Sequence, residues 1–312
     1  MQHYYLLLHF MNFKQLEQYF IKETAELYSA DESKPLFEMI IEQLTGWRRS
    51  ALLMRREEEI SGEQHTNFTM VLEQIKRGVP VQHIFSEAWF YGLKFKVNGS
   101  VLIPRPETEE LVEWILNDLE TMVSGTKGNC DPAGIRTRIL DIGTGSGCIA
   151  ITLQHKCTDA ETYAMDISEE ALATAKENAR LHDAPVSFIH GDILRVDNDP
   201  AGIRTFSYDV IVSNPPYIKE DERLEMHQNV LDHEPHLALF VTNENPLIFY
   251  KAIADYALKY LRKTGRLYFE INEYLGQETV EMLNAKGFIN IILKKDMQGK
   301  DRMIRCELHK GN

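Results

Sequence analysis

Between Arg138 and Leu308, short apolar runs alternate with longer stretches of helical spacing, and that alternation leaves few folds open. Ile139-Leu140-Asp141-Ile142 reads as a buried strand, and Thr162 to Met165, Val186 to His190, Tyr208 to Ser213 and Arg266 to Ile271 read as further strands. Glu169 to Leu181, Pro246 to Leu261 and Gln277 to Lys286 read as helices between them. Strands joined through helices pair in parallel and need helices on both faces of the sheet. The end differs: Ile289 to Lys294, a turn at Gln298-Gly299-Lys300, then Met303 to Leu308 form an antiparallel hairpin. The expected fold is therefore α/β and Rossmann-like, a mostly parallel sheet closed by a C-terminal antiparallel hairpin.

A small α-helical bundle is expected to precede it, with four or five helices over residues 12 to 83. Phe13, Leu16, Phe20, Ala25 and Leu27 recur at helical steps. Asp31 to Pro35 reads as a stop and a fresh start, followed by Leu36, Met39, Ile40 and Leu44 on the next face. Phe68, Val71, Leu72 and Ile75 form a further stripe, ended by Gly78 and Pro80. Trp89 to Val97 alternates around Gly92 as a β-hairpin, with Trp89 and Trp114 assigned to the core. Pro106 sits where a helix starting at Glu107 can accept it; that helix carries Leu111, Val112, Ile115, Leu116 and Leu119, and a polar loop from Gly125 to Arg136 follows. The expected division is 1–85 helical, 86–105 a β-hairpin linker, and 106–312 the α/β domain. At 312 residues, two such units can bury cores without metal or disulfide staples.

The formal charge of −13, 47 acids against 34 bases, argues against direct nucleic-acid binding, which draws its affinity from neutralised phosphates. Cys130, Cys148, Cys157 and Cys306 are scattered with no C-x-x-C pair, which argues against zinc or structural disulfides and for a reducing cytoplasm. His233 and His236 lack acidic or cysteine partners at metal spacing, so no metal site is expected. Tyr4 to Leu8 is too short to span a membrane and lacks a basic flank; Met11 reads as a second start, making the first ten residues an optional extension.

Gly143-Thr144-Gly145-Ser146-Gly147 follows the first of the parallel strands. Such a loop suits either close approach of backbone to a ligand or plain tight packing. Asp166 ends the next strand, where an acid can accept from ribose hydroxyls. Asp192 follows the third, where it can accept from an adenine amine while Ile193 packs on the ring. Each acid alone reads equally as a strand-end turn or cap. Three such features at successive strand ends favour a nucleoside cofactor.

Ser213-Asn214-Pro215-Pro216-Tyr217 follows the fourth strand. Beside a nucleoside loop it suits methyl transfer from a sulfonium to a planar nitrogen, whose delocalised lone pair is a weak nucleophile. The Asn214 side-chain oxygen and the Pro215 carbonyl can hold an NH2 group, Pro216 offers no competing N–H, and Tyr217 can pack on the flat group. The catalytic residues expected are Asn214, Pro215, Pro216 and Tyr217, acting by orientation and without metal. Arg105 and Glu107 either line a substrate channel or form a salt bridge that fixes the Pro-Arg-Pro turn.

At these residues the chain resembles the release factor glutamine methyltransferase family (PrmC/HemK). The resemblance runs from about Pro80 to Cys306 through Pro80 to Ile84, Phe90-Tyr91-Gly92, Val101 to Glu109, Asp141 to Gly147, Asn214 to Ile218, His233 to Leu239 and Gly299 to Arg302. The Ile103 to Glu109 and Glu234 to Leu239 stretches are the family-specific ones. The resemblance implies a class I S-adenosylmethionine methyltransferase domain that releases S-adenosylhomocysteine. Cofactor contacts are implied at Gly143, Thr144, Gly145, Ser146, Gly147, Asp166, Asp192, Ile193 and Asn214. It also implies that the substrate is the glutamine of the Gly-Gly-Gln loop of peptide chain release factors, held in part by the N-terminal helices. A cytoplasmic monomer is expected. Alternatives are a glutamine of a ribosomal protein or an adenine N6 in DNA or RNA. Ser86 stands where the family has glycine, and Glu244-Asn245-Pro246-Leu247 also departs from its pattern.

Overall fold

The computed structural model describes residues 11–123, 136–198, 207–226 and 228–309. The opening segment and most of the loop from Gly125, with Cys130, lie outside them. The chain forms two compact units, one running through Ser86 and including His227–His233, the other comprising Glu87–Met226 and Glu234–Asn312.

The first unit contains α1 (Phe13–Glu23), α2 (Ala30–Thr45), α3 (Arg49–Met54), α4 (Gly62–Lys76) and α5 (Val81–Phe85), plus a short helix at Gln228–His233. Three of these open on reciprocal capping boxes: Asn12 with Gln15, Ser29 with Glu32, and Ser61 with Gln64. Each box satisfies two backbone N–H groups that a helix start leaves without partners. Capping by Ser29 also moves the expected break. The chain turns between Thr24 and Ser29, while Asp31 to Pro35 lie inside the first turns of α2. Phe20, Phe37 and Phe68 pack against one another at ring separations of 5.8–6.0 Å and anchor the core of this unit.

Ser86 ends α5 with φ of 55°, a left-handed conformation that a Cβ disfavours. Ser86→Gly is expected to stabilise this unit by about 0.5–1 kcal/mol, the relief of Cβ strain less the greater freedom of unfolded glycine. Urea denaturation of both proteins checks it, and a variant less stable than wild type would contradict the strain argument.

The second unit begins with a hairpin, β1 (Glu87–Phe90) and β2 (Leu93–Lys96), followed by α6 (Pro106–Val123). Residues 86–105 were expected as a linker, yet Phe90 and Phe95 lie in the same core as Leu111, Val112 and Ile115 of α6. The alternation of β1 turns Ala88 and Phe90 inward and Trp89 outward. Trp89 is thus 57% exposed, not a core residue, with the Lys94 ammonium 5.5 Å over its ring. Trp114 is buried.

The central sheet then forms from β3 (Arg138–Ile142), β4 (Glu161–Asp166), β5 (Val186–His190), β6 (Tyr208–Ser213), β9 (Leu261–Glu270), β10 (Phe288–Lys295) and β11 (Asp301–Leu308). A separate short pair, β7 (Ile218–Lys219) and β8 (Phe240–Val241), went unseen in the sequence because two residues carry no periodicity. The seven strands run in the order β10-β11-β9-β6-β3-β4-β5, with every neighbour from β9 to β5 parallel and β11 antiparallel to both its neighbours. Helices α7 (Cys148–Lys156) and α8 (Glu169–Leu181) follow β3 and β4; α9 (Ile248–Tyr260) and α10 (Gly276–Ala285) flank β9. Alternate strand residues feed opposite cores: Ile139, Val210 and Val212 pack with α6 and α7, while Leu140, Ile211, Leu267 and Phe269 pack with α9. Among the described residues no helix is long and apolar enough to cross a membrane.

Candidate active site

Strands β3 and β6 are neighbours, with Ile142 opposite Ser213, and the Ser213 hydroxyl donates to the Ile142 carbonyl at 2.6 Å. The chain leaves β3 toward β4 on one side and returns as β6 on the other. Connections diverge at such a point, and a crevice opens beyond the strand ends. A cavity of about 370 Å³ lies there, walled by Gly143 to Ser146, Asp166, Asp192, Ile193 and Asn214 to Pro216. Most of the residues singled out in the sequence therefore share one chamber. Gly147 and Tyr217 do not line it.

Gly143 and Gly145 have φ of 74° and 55°, and a Cβ on either would meet nothing within 4 Å. They present bare backbone to the cavity. Gly147 is glycine for a different reason: with φ of 82°, its Cβ would stand 2.8 Å from Ile151 Cδ1 and 3.1 Å from Ala175 Cβ. It shapes the loop by letting α7 pack closely on α8. Behind the loop, the Thr144 hydroxyl donates to Asp141 at 2.6 Å. Burial pushes the Asp141 carboxyl up to about 7, against the pull of that hydrogen bond.

The Asp166 carboxylate accepts from the Gly145 N–H at 2.8 Å and the Ser168 N–H at 2.9 Å. Burial raises its pKa and these donors lower it. Asp192 accepts from the Leu194 N–H at 2.9 Å. Both acids are thus the turn residues that a bland reading anticipates, and both still border the cavity with lone pairs to spare. The buried Asn178 on α8 was missed in the sequence. It donates to the carbonyls of Ser146 and Lys96, both at 2.9 Å, and accepts from the Lys96 N–H at 2.7 Å, tying the glycine loop to the hairpin.

On the opposite wall, the Asn214 amide donates to the Thr108 hydroxyl at 3.2 Å, and Thr108 donates to Glu270 at 2.6 Å. Tyr217 was expected against the flat acceptor. Its hydroxyl instead donates to Glu270 at 3.1 Å, and its ring packs with the core on the α9 face. Asn272 donates to the Tyr217 carbonyl at 3.0 Å. Glu270 is 1% exposed, and burial raises its pKa while Thr108, Arg302 and Tyr217 draw it down. Neither Glu270 nor Asn272 was singled out from the sequence. The available signal was an acid ending the apolar strand Leu267-Tyr268-Phe269-Glu270.

Arg105 both borders the cavity and pairs with Glu234, whose side chain is 1% exposed; Glu234 also accepts from the Ile103 N–H at 3.2 Å. Arg105 is thus paired, but with Glu234 and not with Glu107, which does not line the cavity. Glu244 to Leu247 form the turn that enters α9 and do not line the cavity.

A doubly wound sheet with a glycine loop and an Asn-Pro-Pro-Tyr turn at its switch point defines a class I methyltransferase. The Methyltransferase small domain model matches residues 129–237, and the PrmC N-terminal domain model matches residues 18–85. The chain belongs to the release factor glutamine methyltransferase family. It is 42% identical to the release factor glutamine methyltransferase of Flavobacterium psychrophilum over 95% of this chain and 99% of that protein. It is 40% identical to that of Bacteroides thetaiotaomicron over 93% and 98%. Among solved structures, the hMettl16 catalytic domain in complex with MAT2A 3'UTR hairpin 1 aligns with a TM-score of 0.53 at 15% identity, covering 70% of this chain and 76% of that one, a likeness of fold alone.

Proposed function

We propose that this protein transfers a methyl group from S-adenosylmethionine to the side-chain amide nitrogen (N5) of the glutamine in the Gly-Gly-Gln loop of peptide chain release factors. Membership of the family supports the substrate. The observation that carries the chemistry is the shared cavity: Asn214 and Pro215 face it from β6, and the glycine loop faces it from the adjacent β3.

The cavity residues suit the cofactor. Gly143 and Gly145 leave space for a close ligand, Asp166 and Asp192 keep acceptor capacity for ribose hydroxyls and an adenine amine, and Ile193 offers an apolar face. When bound, the sulfonium supplies an activated methyl group, whose carbon passes to nitrogen as the bond to sulfur breaks with its electron pair. The protein contributes orientation. Asn214 Oδ1 and the Pro215 carbonyl accept the two amide hydrogens and hold the nitrogen in line, and Pro216 has no N–H to compete for them. The surplus proton leaves the methylated nitrogen for water. All these groups come from one chain, so a monomer suffices, and the substrate places the reaction in the cytoplasm. The N-terminal helices 1–85 serve as the part that recognises the release factor.

The test is transfer of radiolabel from S-adenosylmethionine to a release factor beside its Gln→Ala variant in the Gly-Gly-Gln loop. Label on the wild-type factor alone is expected. Equal label on both would exclude that glutamine as the acceptor.

A further inference from the structure

Thr108 and Glu270 stand behind Asn214, and their hydrogen bonds have a direction. Glu270 receives two hydroxyls, Thr108 on Oε2 at 2.6 Å and Tyr217 on Oε1 at 3.1 Å. A carboxylate can only accept, so the single Thr108 proton is committed to Glu270. The lone pairs left on the Thr108 oxygen then require a donor from Asn214. The carboxamide must turn its NH2 group, 3.2 Å away, toward Thr108. Its oxygen is left for a guest in the cavity that Asn214 borders. An Asn side chain in a cavity wall otherwise has two faces of nearly equal shape, and with the wrong one forward it would present hydrogens to hydrogens.

We infer that Thr108 and Glu270 are positioning residues that set the polarity of the Asn214 carboxamide, so that its oxygen, not its NH2, meets the acceptor nitrogen. This rests on the proposed role of Asn214. The brace is built from three separate segments: the start of α6, the end of β6 and the end of β9. Neighbouring strands place two of them side by side, since Ser213 lies opposite Phe269, and Asn214 and Glu270 are the next residue along each chain. Thr108 is 3% exposed and Glu270 1%, so water does not compete for these bonds. The same carboxylate holds Tyr217, which explains why that side chain is turned away from the cavity.

The experiment measures single-turnover transfer to a release factor, with cofactor affinity by calorimetry, for wild type, Thr108→Val, Thr108→Ser and Glu270→Gln. Thr108→Val keeps the shape and deletes the hydroxyl; Thr108→Ser keeps the hydroxyl. Glu270→Gln keeps the shape, but its NH2 can donate to Thr108, freeing the Thr108 proton to draw Asn214 round the wrong way. Thr108→Val and Glu270→Gln are expected to slow transfer at saturating substrate by about 10- to 100-fold, the scale of a misplaced reacting group, with cofactor affinity held. Thr108→Ser should stay close to wild type. In an Asn214→Ala background, Thr108→Val should cost nothing further, because a brace with nothing to orient has no effect.

Wild-type rates in both Thr108→Val and Glu270→Gln would overturn the inference, as would a Thr108→Ser protein as slow as Thr108→Val. If Thr108→Val does not fold, Glu270→Gln alone decides the matter by its rate. Wild-type protein that labels no release factor would instead remove the functional reading on which the inference rests.

Discussion

Asn214→Ala is expected to lower the rate of methyl transfer by about 10²–10³-fold, the usual cost of removing one preorganised polar group from a reacting centre. The variant loses the oxygen proposed to hold the acceptor amide, but little else. Thr108 keeps its bond to Glu270, and Tyr217 keeps its own, so the wall behind the cavity retains its partners. Stability should fall by only about 1 kcal/mol, for one partly buried hydrogen bond. Most of the cofactor affinity should remain, because Asn214 is only one of the implied contacts and the glycine loop, Asp166 and Asp192 come from other strands. The loss should therefore appear in the rate at saturating substrate. Single-turnover transfer alongside calorimetric binding separates these quantities. A variant that transfers at near wild-type rate would sink the proposed role of Asn214, whatever the substrate.

The sheet was legible in the sequence because each strand between Ile139 and Ser213 is a short, largely apolar run ended by a polar turn. Such runs give strands that no neighbour needs to explain. Local chemistry also made the helix caps readable in principle, although Asp31 to Pro35 misled: an acid-rich stretch before a proline reads as a break, and here it is a helix start capped by Ser29. Site residues that announce themselves through backbone, such as Gly143 and Gly145, or through proline stiffness at Pro215 and Pro216, were visible for the same reason. The polarity of the site was not. The Thr108–Glu270, Asn214–Thr108 and Tyr217–Glu270 bonds span 162, 106 and 53 positions of the chain, and nothing local marks these residues as neighbours. Tyr217 was assigned to the acceptor because an aromatic suits a flat group. Its hydroxyl found a buried carboxylate instead, and a buried phenol needs a partner more than a ring needs a second face.

Arg105→Ala is expected to destabilise the second unit by about 2–4 kcal/mol. Breaking a buried ion pair strands the partner charge, and this pair sits toward the low end because the Arg105 side chain is 35% exposed. The Glu234 side chain, at 1%, has no such outlet. Without Arg105 it keeps only the Ile103 N–H among the partners described above. The two halves of the pair should therefore not be equivalent. Glu234→Gln removes the charge but leaves an oxygen for the Ile103 N–H, and Arg105 can turn to water, so this variant should cost less than Arg105→Ala. Adding Glu234→Gln to Arg105→Ala should recover part of the lost stability, since the stranded charge is gone. Urea denaturation of the four proteins measures the cycle. Arg105→Ala costing under about 1 kcal/mol would place the pair among surface contacts of little worth. The expected asymmetry would mean that the segments Ile103 to Glu109 and Glu234 to Leu239 are joined chiefly to satisfy one buried carboxylate. Both segments also border the cavity, through Arg105, Pro235 and Leu237, so that one carboxylate would hold together this part of its wall.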